Sequence, residues 1–128
     1  VKDTPFDFNK RKRIGQDLEA DHIQLKNAFG YDHSFVLNGT ENQLTLEEPV
    51  SGRRLIISTT APVVQIYTGN FLKDGCIGKA GRVYENREGV ALETQLMPNA
   101  INTEENPSTI LRKGDKFESN TKYVFEII

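Results

Sequence analysis

The side chains with the most chemical capacity in this sequence lie in two short β-type segments, Val63-Val64-Gln65-Ile66-Tyr67-Thr68 and Val90-Ala91-Leu92-Glu93-Thr94-Gln95. In an extended chain, successive side chains point to opposite faces. Val63, Gln65 and Tyr67 therefore share one side of the first segment, and Ala91, Glu93 and Gln95 share one side of the second. Each segment lines amide or carboxylate groups along a single face, and the first adds a phenol ring. Polar groups beside a ring can hold a sugar, by hydrogen bonds to its hydroxyls and stacking on its apolar face. The same pattern describes polar residues that simply face water, and alternation leaves both readings open. Asp32-His33 adds an acid and an imidazole where a loop meets the segment at Phe35. A lone His beside an Asp serves structure more often than catalysis.

Other motifs carry less. Gly75, Gly78 and Gly81 recur every third residue, which matches neither the dinucleotide fingerprint nor a P-loop, and no helical pattern follows. The stretch reads as a flexible loop between strands. Cys76 lies in it without an activating His or basic neighbour in sequence. Asn38-Gly39-Thr40 matches a glycosylation sequon, a match that needs a secretion signal to mean anything. Lys10 to Arg13 is a basic run flanked by Asp7 and Asp17, as expected of a solvated loop, with phosphate binding as the sharper alternative. No Ser-centred nucleophile elbow is present.

Composition bounds what such residues can serve. The 128 residues are 37% hydrophobic and 27% charged, with 18 acidic against 16 basic side chains, an ordinary globular balance. It gives no reason to expect nucleic acid or an anionic membrane as partner. No apolar run exceeds four residues, far too short for a transmembrane helix. One Cys forbids an internal disulfide, and Cys76 with His22 and His33 is too thin for a structural zinc site. A single soluble domain in a reducing, cytoplasmic compartment is expected. Position 1 is Val and the sole Met is Met97, so the chain reads as a fragment, a processed piece or a trimmed product.

The elements that must position these side chains are short strands. After a mostly irregular stretch over residues 1–34, with room for a helical turn or two between Gln16 and Asn27, strands are expected at Phe35–Leu37, Leu44–Leu46, Leu55–Thr60, Val63–Thr68, Val90–Gln95 and Lys122–Ile128. Each is rich in β-branched or aromatic residues and bounded by Gly, Pro, Asn or Asp. Asn38-Gly39 suggests a hairpin joining the first two. The pattern predicts an all-β, antiparallel sandwich.

The residues also resemble a known family. Thr4-Pro5-Phe6-Asp7-Phe8, Gly30-Tyr31-Asp32-His33-Ser34-Phe35, Ser51-Gly52-Arg53, Thr59-Thr60, Gln65-Ile66-Tyr67-Thr68-Gly69-Asn70-Phe71-Leu72, Gly78-Lys79, Leu92-Glu93-Thr94-Gln95 and Pro98, Ala100 and Asn102 follow the order found in the galactose mutarotase, or aldose 1-epimerase, family. The likeness covers essentially the whole chain and is to the C-terminal part of that family. It implies the family's β-supersandwich, with residues 1–128 as the C-terminal portion of one domain. It also implies interconversion of the α and β anomers of free aldohexoses such as galactose or glucose, with no metal or organic cofactor. By the same likeness Glu93 corresponds to the general base at the anomeric hydroxyl, and Asp32 and Gln65 match positions that hydrogen-bond sugar hydroxyls. The family's acid, a His that protonates the ring oxygen, lies in the N-terminal half, with another His and an Arg of the sugar site. His33 does not correspond to that acid.

Three substitutions depart from the family's usual pattern: Val63-Val64 before Gln65 where Gly-Val is common, Asn99 for a common Asp, and Ser34 for a common Asn. The larger departure is length, since full members are more than twice as long. Half a sandwich exposes an apolar face and strand edges, so cover by the N-terminal segment or by a self-partner is expected. Two rival readings are a non-catalytic carbohydrate-binding module of the same fold and an epimerase of phosphorylated hexoses. The latter needs a basic cluster for phosphate, for which Arg53-Arg54 is the available pair.

Overall fold

A computed structural model of the chain describes residues 1–73, 77–103 and 109–128. Among these residues lie six strands: β1 (Asp32–Val36), β2 (Leu44–Glu48), β3 (Arg53–Thr59), β4 (Val63–Tyr67), β5 (Ala91–Gln95) and β6 (Thr121–Ile127). One short helix, α1 (Ile23–Ala28), and 3-10 turns at Ile14–Gln16 and Ala100–Asn102 complete the regular structure. The strands form two three-stranded sheets, ordered β1-β4-β5 and β2-β3-β6. Each expected strand is present within a few residues of its predicted ends, and the all-β antiparallel class holds. No helix among the described residues is long and apolar enough to cross a membrane.

The chain divides into two compact units, residues Val1–His33 with Ile66–Leu92, and Ser34–Gln65 with Glu93–Ile128. The second unit contains the β2-β3-β6 sheet, where antiparallel register brings Leu46, Leu55 and Phe125 into one row and Leu44, Ile57 and Tyr123 into the next. These rows make one face apolar. On the other face Arg54 on the central strand binds Glu47 at 2.8 Å and Glu126 at 3.3 Å, a charged cross-strand row of the sort that favours one register. Ile57, Val63, Val64, Thr59 and Ala100 are buried in this unit. The β2–β3 turn is held by the Glu48 carboxylate, which accepts the Val50 and Ser51 N–H groups at 2.8 and 2.7 Å. Hydrogen bonds from Ser51 and Val50 hold that carboxyl below its usual range.

The expected hairpin at Asn38-Gly39 does not form. β1 and β2 belong to different sheets, and the Leu37 N–H instead reaches the Pro62 carbonyl at 3.0 Å, extending the β1–β4 ladder. A two-residue hairpin needs strands on both flanks of the turn, whereas Leu44 begins β2 several residues after Gly39. The connection is tied down by Gln43, whose amide donates to Gly39 O at 2.7 Å and whose carbonyl accepts the Thr59 N–H at 2.7 Å.

The first unit is organised around the end of α1. His22 caps the helix start by accepting the Gln24 N–H at its Nδ1. The helix stops at Phe29, whose backbone is left-handed (φ 57°), and the Gly30 N–H returns to Leu25 O at 3.0 Å. That bond satisfies one of the carbonyls a helix end leaves open. The buried Asn70 side chain takes one more, donating to Ala28 O at 2.8 Å, and also donates to Tyr31 O beyond the helix at 3.1 Å. Its own Oδ1 accepts the Thr68 hydroxyl at 2.7 Å, while Thr68 Oγ1 accepts the Tyr31 N–H at 3.1 Å. Gly30 sits against this amide with φ 139°, and a Cβ there would stand 2.4 Å from Asn70 Oδ1.

Two substitutions test this knot. Gly30→Ala is expected to lose on the order of 2–4 kcal/mol of stability through the clash and the strained backbone. Asn70→Ala is expected to lose about 1–3 kcal/mol by removing the side-chain donor to Ala28 O and one of the donors to Tyr31 O, which keeps the Thr68 N–H. Urea denaturation of both variants checks this, and wild-type midpoints would contradict it.

Candidate functional site

Asp32 opens β1 in the first unit and is exposed. Its backbone N–H donates to His33 Nδ1 at 3.0 Å, so that nitrogen acts as an acceptor. The His33 ring lies in an aromatic cluster, meeting Phe6 edge-on at 4.7 Å; Phe6 also meets His22 at 5.1 Å and Tyr31 at 5.6 Å. Tyr31 is fully buried, donates its hydroxyl to Pro5 O at 2.7 Å, and has its pKa pushed up to about 12 by burial and by Asp17. The Thr4-Pro5-Phe6 segment thus supports the base of β1. Burial lowers the His33 pKa below its ordinary value, with Asp32 opposing and His22 adding to the shift.

Because folding depresses the His33 pKa, the unfolded chain binds its proton more readily. The stability this contributes is present above pH 6.5 and is lost as pH falls through the lower, folded value. The melting temperature of the wild type is therefore expected to drop more steeply below pH 6.5 than that of His33→Gln. Parallel pH curves for the two proteins would refute the shift.

In the second unit, Gln65 is half-buried on β4 and Glu93 is exposed at the middle of β5, the neighbouring strand. The Ser34 hydroxyl donates to Gln65 Oε1 at 2.5 Å. The Leu37 N–H to Pro62 O bond aligns β1 and β4 so that, three residues inward on each strand, Ser34 stands opposite Gln65. On β5, Thr94 Oγ1 lies 3.0 Å from Thr121 Oγ1, which in turn lies 2.8 Å from Thr59 Oγ1. Thr94 thus points toward the β3–β6 pair, and alternation turns Glu93 to the other side of β5. Sequence reasoning noted Ser34 only as a substitution; its position two residues from Asp32 on one side of β1 was the signal that could have found it.

Several rival chemistries lose their residues. Arg54 is committed to Glu47 and Glu126, which removes half of the arginine pair the phosphate reading needs. Lys12, in the basic run, donates to Pro5 O at 2.6 Å and Asp17 at 2.8 Å and lies over the Phe8 ring, so it braces the chain. Cys76 and Gly75 lie outside the described residues. The described part of the glycine-rich stretch is a small antiparallel turn rather than a plain loop: Ile77 bridges Val83 and the Gly78 N–H reaches Arg82 O at 2.8 Å. Among the described residues no three His, Cys, Asp or Glu side chains form a potential metal cluster.

The first unit also holds an open cavity of about 370 Å³ lined by Phe29, Asn70, Phe71, Asn86 and Arg87. Its polar groups serve the backbone. Asn70 is engaged as above, Asn86 Oδ1 accepts the Lys73 N–H at 2.8 Å, and Arg87 donates to Phe29 O at 3.3 Å. None of Asp32, Gln65 and Glu93 lines it.

The family model described as aldose 1-epimerase matches residues 1–124. Galactose mutarotase of Rattus norvegicus is 37% identical over 130 residues, covering 99% of this chain and 36% of the relative. Aldose 1-epimerase of Escherichia coli is 35% identical over 131 residues, covering 98% of this chain and 37% of the relative. A crystal structure of the GalM/aldose epimerase homologue from C. elegans superposes with a TM-score of 0.85 at 30% identity, over 100% of this chain and 38% of that one. The chain therefore spans little more than a third of the length of the relatives it matches. The match extends from the Phe6 support through the Asn70 knot to β6, and on that evidence the chain belongs to the aldose 1-epimerase family.

Proposed function

We propose that this chain is the C-terminal portion of an aldose 1-epimerase domain, acting in the cytoplasm on free aldohexoses such as galactose or glucose. Glu93 is the general base, and Asp32 and Gln65 hydrogen-bond sugar hydroxyls. Ring opening requires a proton to leave the anomeric oxygen and one to reach the ring oxygen; rotation about C1–C2 and closure from the other face then give the second anomer. An exposed carboxylate at mid-strand suits the first transfer, and the amide and carboxylate of Gln65 and Asp32 suit a polyhydroxylated substrate. The observation that carries the reading is the family match across residues 1–124, which includes Asp32, Gln65 and Glu93.

The acid that protonates the ring oxygen is assigned to the N-terminal part of the family's length, outside this chain. The same part is proposed to cover the apolar face of β6, where Phe125 is 78% and Ile127 75% exposed. Exposed apolar rows on an edge strand favour association. In its absence, sedimentation velocity is expected to show the 128-residue chain pairing with itself, and a clean monomer at high concentration would overturn this cover.

The test of activity is polarimetry on freshly dissolved α-D-galactose, using this chain with and without the N-terminal portion supplied from a full-length relative. Removing a positioned base costs about 10²–10⁴ in rate, so Glu93→Gln is expected to slow mutarotation by that factor. Sugar binding with no acceleration in either arrangement would favour the binding-module reading.

A further inference from the structure

We propose that Asn38 is a site of self-modification, at which the Gly39 backbone nitrogen closes on the side-chain amide and the asparagine becomes aspartate or isoaspartate. The inference is independent of the roles assigned to Asp32, Gln65 and Glu93. Such a closure needs three things together. The amide must be free to turn onto the chain, the next backbone nitrogen must have no other partner, and no side chain may block the approach.

The connection between β1 and β2 supplies all three. Of the asparagines in the sequence, Asn38 alone is followed by glycine. Asn38 and Gly39 are both exposed. Among the described residues, neither the Asn38 side chain nor the Gly39 N–H has a hydrogen-bond partner. A Cβ built on Gly39 would meet nothing within 4 Å, so the surroundings leave the nitrogen as open as the glycine does. The pair is held only from its flanks, by the Leu37 N–H on Pro62 O at 3.0 Å and the Gln43 amide on Gly39 O at 2.7 Å. Asn70 is the contrast, since it is buried, its amide is engaged by Ala28 O and Tyr31 O, and Phe71 follows it.

The step balances with water as co-reactant. The Gly39 nitrogen gives up its proton and bonds to Asn38 Cγ. The Cγ–Nδ2 bond breaks, and Nδ2 takes up a proton and leaves as ammonia, giving a succinimide ring. Water then opens one of the two ring C–N bonds, so that the carboxylate ends on the side chain (aspartate) or the chain runs through Cγ (isoaspartate). Either product carries a new negative charge, and isoaspartate adds a methylene to the main chain. That insertion moves Gly39 O away from Gln43, whose own carbonyl holds the Thr59 N–H at 2.7 Å. The change therefore reaches the end of β3.

The experiment ages the chain in warm, neutral buffer and follows it by peptide mapping, ammonia release and isoelectric focusing. An acidic form is expected that maps to Asn38, with Asn70 intact. Its rate in the folded chain is expected within about threefold of that in urea, because an exposed connection opens at almost no free-energy cost. The rate is expected to rise about tenfold per pH unit as the Gly39 nitrogen deprotonates. Gly39→Ala shields the nitrogen and is expected to slow the reaction, and Asn38→Gln to remove the acidic form. In the isoaspartyl product, the Thr59 amide is expected to exchange with solvent faster than in fresh protein.

A folded chain that keeps the Asn38 amide while the unfolded chain loses it overturns the proposal. An acidic form that maps to another asparagine overturns it as well. A wild-type rate in Gly39→Ala overturns the assigned nucleophile, and unaltered Thr59 exchange in the isoaspartyl product overturns the link to β3.

Discussion

The structure of the first unit depends on satisfying the backbone where α1 ends. A helix that stops within a folded chain leaves carbonyls without partners, and a buried carbonyl left open costs as much as a lost hydrogen bond. Here the end is left-handed at Phe29, and the Asn70 amide donates to Ala28 O at that end and to Tyr31 O just beyond it. Thr68 completes the arrangement by serving both Asn70 and the Tyr31 N–H. The stretch leading into β1 is thereby set by a side chain some forty residues away. Asp32 follows Tyr31 directly, so the first residue proposed to meet a sugar is positioned by groups that need never touch one.

This separates two kinds of signature residue. Thr68, Gly69 and Asn70 are among the most distinctive residues of the family resemblance, yet all three are buried and Thr68 and Asn70 are spent on backbone groups. Gly69 has φ 64° and a Cβ there would lie 2.8 Å from Gly89 O, so a larger residue is excluded by sterics alone. Tyr31, in the same run as Asp32, is buried with its hydroxyl on Pro5. The residues proposed for the chemistry are less conspicuous neighbours, Gln65 two residues before Tyr67 and Glu93 between Leu92 and Thr94. A motif can be specific for a family because it holds the scaffold, and role must then be argued residue by residue.

What was legible in the sequence was local. Six strands could be placed because β-branched and aromatic runs end at turn residues, and the alternation within Val63–Thr68 and Val90–Gln95 sorted their faces. What was not legible was pairing. Asn38-Gly39 has the chemistry of a hairpin turn, but whether the flanking strands meet is decided by which other edges are available; the Leu37 N–H found Pro62 instead. The Ser34–Gln65 bond was hidden for the same reason, since it depends on the register of strands thirty residues apart. The setting of His33 also had no local sign: its ring meets Phe6, far off in sequence.

The placement of Glu93 shows how a strand's two faces constrain each other. Thr94 shares hydroxyl contacts with Thr121, and Thr121 with Thr59, so one side of β5 is anchored to a row of polar contacts on β3 and β6. A one-residue slip of β5 would send Thr94 out and bring the Glu93 carboxylate against those hydroxyls and the buried Ile57 and Thr59 behind them. Burying an ionised carboxylate there costs far more than burying a threonine whose hydroxyl is paired. The hydroxyl row therefore acts as a register lock with a chemical consequence, because it keeps the one carboxylate of β5 on the open face. Exposure at Glu93 is then the outcome of packing on the opposite side of the same strand.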